Sequence, residues 1–220
     1  MSAARVSFEH QLETLNENLI EMGHLVEDSI DRIVIALENQ DRELAREIMV
    51  GDQLVNDLEK TIESQCLSLI TRQQPVARDL RIVSAALKVV TDIERIGDHA
   101  ADIGELIIRF EHADFYHISK KIPPMLAAAK KMVHNSVDAF INRDVKAASE
   151  VIVADDEVDE LFNDIKSEIV LLLKEGDISP DYCVDMLMIA KYLERIGDHA
   201  VNIGEWTIFQ KTGPDMGRFS

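Results

Sequence analysis

The sequence predicts an all-α chain, a tandem repeat of two three-helix bundles with six long helices. Three observations carry this reading. Glu94-Arg95-Ile96-Gly97-Asp98-His99-Ala100 recurs unchanged as Glu194-Arg195-Ile196-Gly197-Asp198-His199-Ala200, and the match runs on through Ile103-Gly104-Glu105 and Ile203-Gly204-Glu205. Upstream, a constant shift of 103 residues aligns Asn39, Asp41, Ala45, Glu47 and Asp52 with Asn142, Asp144, Ala148, Glu150 and Asp155, and Val55, Leu58 and Ile62 with Val158, Leu161 and Ile165. Finally, apolar residues fall at the alternating spacing of four and three that marks one face of a long helix. The shift drops from 103 to 100 between the two blocks, which places a short deletion and hence a loop between Gln73 and Arg81 and between Gly176 and Cys183.

The helices follow in order. The first, over 6–39, carries Leu12, Leu15, Leu19, Met22, Val26 and Ile33 on one face. The second spans 42–73. The third, over 77–111, has the row Ile82, Ala86, Val89, Ile93, Ile96, Ala100, Ile103 and Ile107. The second half repeats them over 120–142, 145–174 and 179–211, the last with Tyr182, Met186, Ile189, Leu193, Ile196, Ala200 and Ile203. Pro75, Pro123, Pro124, Pro180 and Pro214 all fall at boundaries, where a missing N–H costs nothing. The halves therefore run over 6–112 and 120–211, joined by the stretch from His112 to Lys121.

Composition agrees and narrows function. Hydrophobic residues make up 46% of the 220, enough for a sizeable core, while aromatics are only 5%, which suits aliphatic helix packing. The net charge of -18 and pI near 4.7 argue against nucleic acid and against direct docking on anionic lipid, and favour cations and basic protein surfaces. No apolar run is long enough to span a bilayer, so a cytoplasmic protein is expected. Cys66 and Cys183 stand far apart and read as buried thiols.

Projected at 100° per residue, Glu94, Asp98, Asp102 and Glu105 share a narrow stripe on the third helix, bordering its apolar arc. Like charges at that spacing repel unless something positive sits between them. Beside them run Gly97, Ala101 and Gly104, small enough to let a neighbouring helix approach. The second helix offers its own stripe of Asp52, Asn56, Glu59 and Glu63; its copy keeps Asp155 and Asp159 but has Phe162 and Lys166 in the last two places. Facing stripes would build an oxygen-rich cage for a hard cation such as Fe, Mn, Mg or Ca. A solvated acidic face, with Arg95 neutralising Asp98 and Asp102, accounts for the same residues; both readings stand. His99 and His199 point to another side of the helix, a packing or orienting position rather than a ligating one.

Enzyme signatures are missing. The Glu-x-x-His pair of a di-iron bundle occurs at Glu21 and His24 without a copy, and there is no Gly-rich phosphate loop, no GxSxG and no duplicated Cys–His pair. The expectation is a protein that is not an enzyme.

The doubled Glu-Arg-Ile-Gly-Asp-His-Ala motif, the segment Gln74-Pro75-Val76-Ala77-Arg78-Asp79-Leu80-Arg81 and the segment Asp155-Asp156-Glu157-Val158-Asp159 closely resemble the PhoU family of phosphate-uptake regulators. The resemblance covers roughly 6–211. It implies two three-helix bundles bearing metal clusters held by acid-xxx-Asp pairs. By position these are Asp52, Asn56, Glu94, Asp98 and Asp102 in one half, and Asp155, Asp159, Glu194, Asp198 and Asn202 in the other. The expected cofactor is a metal ion, Fe foremost, or Mn, Mg, Zn or Ca. The resemblance also implies a homo-oligomer, typically a dimer. Such a protein restrains a phosphate transporter and a phosphate-responsive sensor kinase by contacting the transporter ATPase and the histidine kinase, and meets the membrane only through them. Asn56 and Asn202 depart from an all-acid pattern; an amide oxygen ligates without bringing charge.

Overall fold

Each bundle starts its middle helix with the same device. The Asp41 carboxylate accepts hydrogen bonds from the amides of Glu43 and Leu44, both at 3.0 Å, and its copy Asp144 accepts from Lys146 and Ala147 at 2.9 and 3.1 Å. These caps satisfy amides that no helical carbonyl can reach and leave only a tight turn before them. In the computed structural model, which describes residues 3–109, 120–176 and 178–213, six helices follow. They are α1 (Ala3–Asn39), α2 (Arg42–Gln73), α3 (Arg78–Arg109), α4 (Ile122–Asn142), α5 (Val145–Glu175) and α6 (Pro180–Thr212). The expected end of the third helix at 111 and most of the 112–121 connection lie outside the described residues. Among the described residues there is no strand.

Left-handed residues stop the helices at the turns: Gln74 (φ 46°) after α2, Arg143 (φ 55°) after α4 and Gly176 (φ 76°) after α5. Proline opens both α4 and α6.

Helices α1–α3 pack together as one bundle and α4–α6 as the other. The bundles then meet along two lines, α3 against α6 and α1 against α4. On the second line Gly23 faces Val137, Lys130 pairs with Asp31 at 2.6 Å and His134 with Glu27 at 3.2 Å. The anticipated seam residues Ile93, Ile96, Ala100 and Ile103 are fully buried, as are Leu193, Ile196, Ala200 and Ile203. Together with the other core side chains they form one continuous apolar cluster through both bundles, each large aliphatic contributing about 1.5–3 kcal/mol by leaving water. The halves are structural repeats that share a core. Cys66 and Cys183 are buried within it, and burial pushes the Cys66 thiol up to about 12, so it stays protonated.

Candidate metal centres

The acidic clefts exist because two helices approach almost backbone to backbone. A Cβ on Gly97 would lie 2.8 Å from Asp52 Oδ1, and one on Gly104 would lie 3.0 Å from the Ala45 carbonyl oxygen. The second half repeats the arrangement: a Cβ on Gly197 would lie 3.1 Å from Asp155 Oδ1, and one on Gly204 3.1 Å from the Ala148 carbonyl oxygen. Each mid-helix glycine costs about 0.5–1 kcal/mol relative to Ala, and here it admits an aspartate carboxylate and a neighbouring backbone.

In the first cleft Asp52, from α2, lies over α3. Its Oδ2 accepts from Asn56 Nδ2 at 2.9 Å, while its Oδ1 is buried without a hydrogen-bond partner. Burial, followed by the charge of Asp98, raises the Asp52 carboxyl above its ordinary range. Glu94 is pushed up to about 6, again by burial first and Asp98 second, and its Oε2 also lacks a hydrogen bond. Arg95 counters part of this charge, with Nη1 2.6 Å from Asp98 Oδ2 and Nε 3.4 Å from Glu94 Oε2. Glu59 borders the cluster, and burial and Glu63 raise it too.

In the second cleft Asp155 Oδ1 is likewise buried and unpartnered. Burial, then the charges of Asp159, Asp198 and Glu194, push Asp155 up to about 6. Burial and Glu194 raise Asp198. Lys191 forms an ion pair with Glu194 and stands 5.4 Å from the Phe162 ring, which Lys166 approaches to 5.8 Å.

Asp52, Glu94 and Asp98 in the first half, and Asp155, Asp159, Glu194 and Asp198 in the second, therefore lie near enough to act on one another by charge across one helix pair each. Among the described residues, however, no three His, Cys, Asp or Glu groups converge tightly enough to enclose a metal ion. Arg95 and Lys191 hold Asp98 and Glu194 in ion pairs at the sides of the two clefts. The donor set fits a hard cation. It is all oxygen, and buried carboxylate oxygens without a hydrogen bond stand in each cleft, Asp52 Oδ1 and Glu94 Oε2 in the first and Asp155 Oδ1 in the second.

Comparison with known proteins settles the lineage. The PhoU domain family matches the chain twice, over residues 19–107 and 122–207. The chain belongs to the PhoU family. It is 40% identical over 213 residues to the phosphate-specific transport system accessory protein PhoU homolog of Clostridium acetobutylicum, covering 96% of this chain and 97% of that protein. PhoU homolog 1 of Thermotoga maritima is 32% identical, covering 97% and 93%. The crystal structure of PhoU from Pseudomonas aeruginosa superposes with a TM-score of 0.86 at 31% identity, over 94% of this chain and all of that one. The phosphate transport system regulatory protein PhoU from Streptococcus pneumoniae also gives 0.86, at 26% identity over 94% and 98%. PhoU proteins are transport accessory and regulatory proteins, not enzymes, and this chain follows them in fold and in repeat.

Two expected ligands of the PhoU pattern are engaged elsewhere. Asn202 donates its amide to Asp92 Oδ1 at 3.1 Å, across the line between bundles, and His199 Nδ1 meets the same oxygen at 2.9 Å. Asn202 is therefore tied to the bundle contact, since α6 turns that side toward α3. Asp102 is half-exposed; its charge still raises Asp52, yet it also stands 3.5 Å from His99 Nδ1 and hydrogen-bonds Tyr192. Glu105, in the same stripe, pairs with Arg109 at 2.8 Å. The histidines pack as expected: His99 is buried, its ring 5.4 Å from Tyr192 and 5.6 Å from His199, and burial lowers its pKa. Sequence reasoning missed Asp92. Its counterpart is Tyr192, so self-comparison hides it.

Proposed function

We propose that this protein restrains phosphate uptake and phosphate-starvation signalling through contacts with a phosphate transporter ATPase and a sensor histidine kinase. The observation that carries the reading is the end-to-end match, across both repeats, to relatives named for an accessory role in phosphate-specific transport. The surface chemistry supports protein contact: the chain is strongly acidic, and among the described residues no helix is long and apolar enough to cross a membrane. A cytoplasmic homodimer presenting both clefts is the form in which we expect it to act. The clefts hold structural metal ions, iron foremost, or Mn, Mg, Zn or Ca, through Asp52, Glu94 and Asp98 in one half and Asp155, Asp159, Glu194 and Asp198 in the other.

The test is genetic and biochemical together. A strain lacking the protein should keep phosphate-starvation genes and high-affinity uptake switched on in rich phosphate, and the purified protein should retain the transporter ATPase and the kinase in a pull-down. Normal phosphate control in that strain would refute the reading.

A metal-free adaptor is the second reading, favoured by one observation: Arg95 and Lys191 already neutralise part of each cleft. Elemental analysis of the purified protein separates the two.

A further inference from the structure

The Gln74–Arg81 segment carries part of the resemblance to PhoU proteins but takes no part in the acidic clefts. It delivers Arg78 to the first turn of α3, where it meets Arg143 from the turn between α4 and α5. The two arginines line a cavity of about 290 Å³ with Glu9, Glu13, Asn16 and Asp79. Neither guanidinium has an ion-pair partner among the described residues, although both stand in a cavity wall of an acidic chain. Arg143 is also held in place. It is half-buried, its backbone sits at φ 55°, and its N–H caps α4 by donating to the Ala139 and Phe140 carbonyls. Burial, and then the like charge of Arg78, push its guanidinium below the ordinary value; Asp79 offsets this only in part. Two guanidiniums that share a cavity, each without an ion pair, form an arrangement that an oxyanion between them would relieve.

The acids on the same wall decide which oxyanion. Glu9, Glu13 and Asp79 are acceptors when ionised and repel an anion that has no hydrogen to donate. The occupant must therefore combine acceptor oxygens for the arginines with an O–H for a carboxylate. Inorganic phosphate near neutral pH always carries an O–H. Sulfate carries none, and a phosphomonoester, with its second pKa at about 6, has largely lost its own. The cavity lies at the small end of ligand sites, which suits a free ion over a nucleotide. We propose that Arg78 and Arg143 bind inorganic hydrogen phosphate, with the carboxylates of Glu9, Glu13 and Asp79 selecting it through its O–H. The proposal stands apart from the metal centres, which occupy other helix faces.

Calorimetric titration of the full chain tests it, with potassium phosphate, sulfate and methyl phosphate at matched ionic strength. Phosphate should bind saturably, and sulfate and methyl phosphate at least about tenfold more weakly. Arg78→Gln, and Arg143→Asn, which keeps a residue tolerant of the left-handed backbone, should each weaken phosphate by about tenfold or more. Glu9→Gln with Glu13→Gln should narrow the gap between phosphate and sulfate. Asp98→Asn with Asp198→Asn should leave phosphate binding intact, so failure of the metal reading and failure of this one are distinguishable. No saturable phosphate binding, equal binding of sulfate, or unchanged binding in Arg78→Gln with native circular dichroism would each overturn the proposal. Arg78 is exposed in the first turn of α3, so that variant decides the matter even if Arg143→Asn does not fold.

Discussion

The two acidic clefts share a backbone and differ in how they handle charge. Both seat an aspartate over a helix glycine with one buried, unpartnered oxygen, Asp52 over Gly97 and Asp155 over Gly197. Around Asp52 stand an amide, Asn56, and further acids, Glu59 and Glu63, with Arg95 as the near cation. Around Asp155 a second aspartate, Asp159, takes the amide's place, Phe162 and Lys166 replace the outer acids, and Lys191, where the first half has Thr91, adds a second cation beside the ring. Duplication preserved the cradle that brings two helices together and let the counter-charge drift. The first cleft is more acidic at its rim, the second at its centre.

The largest effect should ignore that difference. Ile96 and Ile196 are both fully buried in one continuous core, so Ile96→Asp or Ile196→Asp should each cost more than about 3 kcal/mol by burying an unpaired charge. Because the core is shared, urea denaturation of either variant should show one transition for both halves. Two separated transitions would mean that the bundles fold independently.

Metal response comes next. Removing bound ions with a chelator should lower the melting temperature, and adding Fe or Mn should restore it; at 100 times the Kd a native-state ligand contributes about 2.7 kcal/mol. Asp98→Asn with Asp198→Asn should remove most of this response yet slightly stabilise the metal-free protein, because Asp98 raises Asp52 and Glu94 by charge. The pH dependence has a definite sign. Glu94 and Asp155 rise from 4.5 and 3.8 to about 6 on folding, so the metal-free fold binds protons that the unfolded chain has released. Its stability from these groups is lost as pH rises through about 6. A cation should reverse that loss, so the thermal shift should be large above pH 6 and fade below it. A chelator-insensitive melt with no bound metal would leave the adaptor reading standing.

Much of this was legible in the sequence, for a physical reason. Periodicity and self-comparison report contacts inside a repeat, because each helix must bury one face against its own bundle. The helix limits, the seam at Ile96 and Ile196 and the pairing of Asp52 with Asp98 all belong to that class. Contacts between repeats leave no such trace. Asn202 looks like a ligand when laid over Asp102, but packing of α6 on α3 gives it Asp92 instead. The Arg78–Arg143 pair joins residues 65 apart in chain number on different bundles, and no spacing rule links them.

A smaller effect separates the fold from the site. Alanine at Gly97 would drive its Cβ against Asp52 Oδ1, the free end of a side chain that can turn away. Alanine at Gly104 would meet the Ala45 carbonyl, which the helix holds fixed. Gly104→Ala should therefore lower the melting temperature of the metal-free protein more than Gly97→Ala does. The order should invert for metal affinity, with Gly97→Ala losing more. Equal losses in both properties would show that Asp52 has no role beyond packing.

The smallest effect exchanges the two central residues. Asn56 donates to Asp52 and so holds its carboxyl down, against burial and Asp98, which raise it. Asn56→Asp removes that donor and adds a charge, so Asp52 should titrate higher and the metal-free protein should lose a little stability at neutral pH. Asp159 acts oppositely, since its charge is the largest electrostatic cause of the raised Asp155 carboxyl. Asp159→Asn should bring Asp155 down from about 6 and stabilise the metal-free protein slightly at pH 7, where Asp155 must be ionised. Both stability changes should stay within about 1 kcal/mol, because the clefts are partly solvated. Carboxyl chemical shifts followed across pH would read the two aspartates directly. Opposite movements, Asp52 up and Asp155 down, are expected; movement in the same direction would show that burial alone sets both carboxyls and that the central residue of each cleft is electrostatically silent.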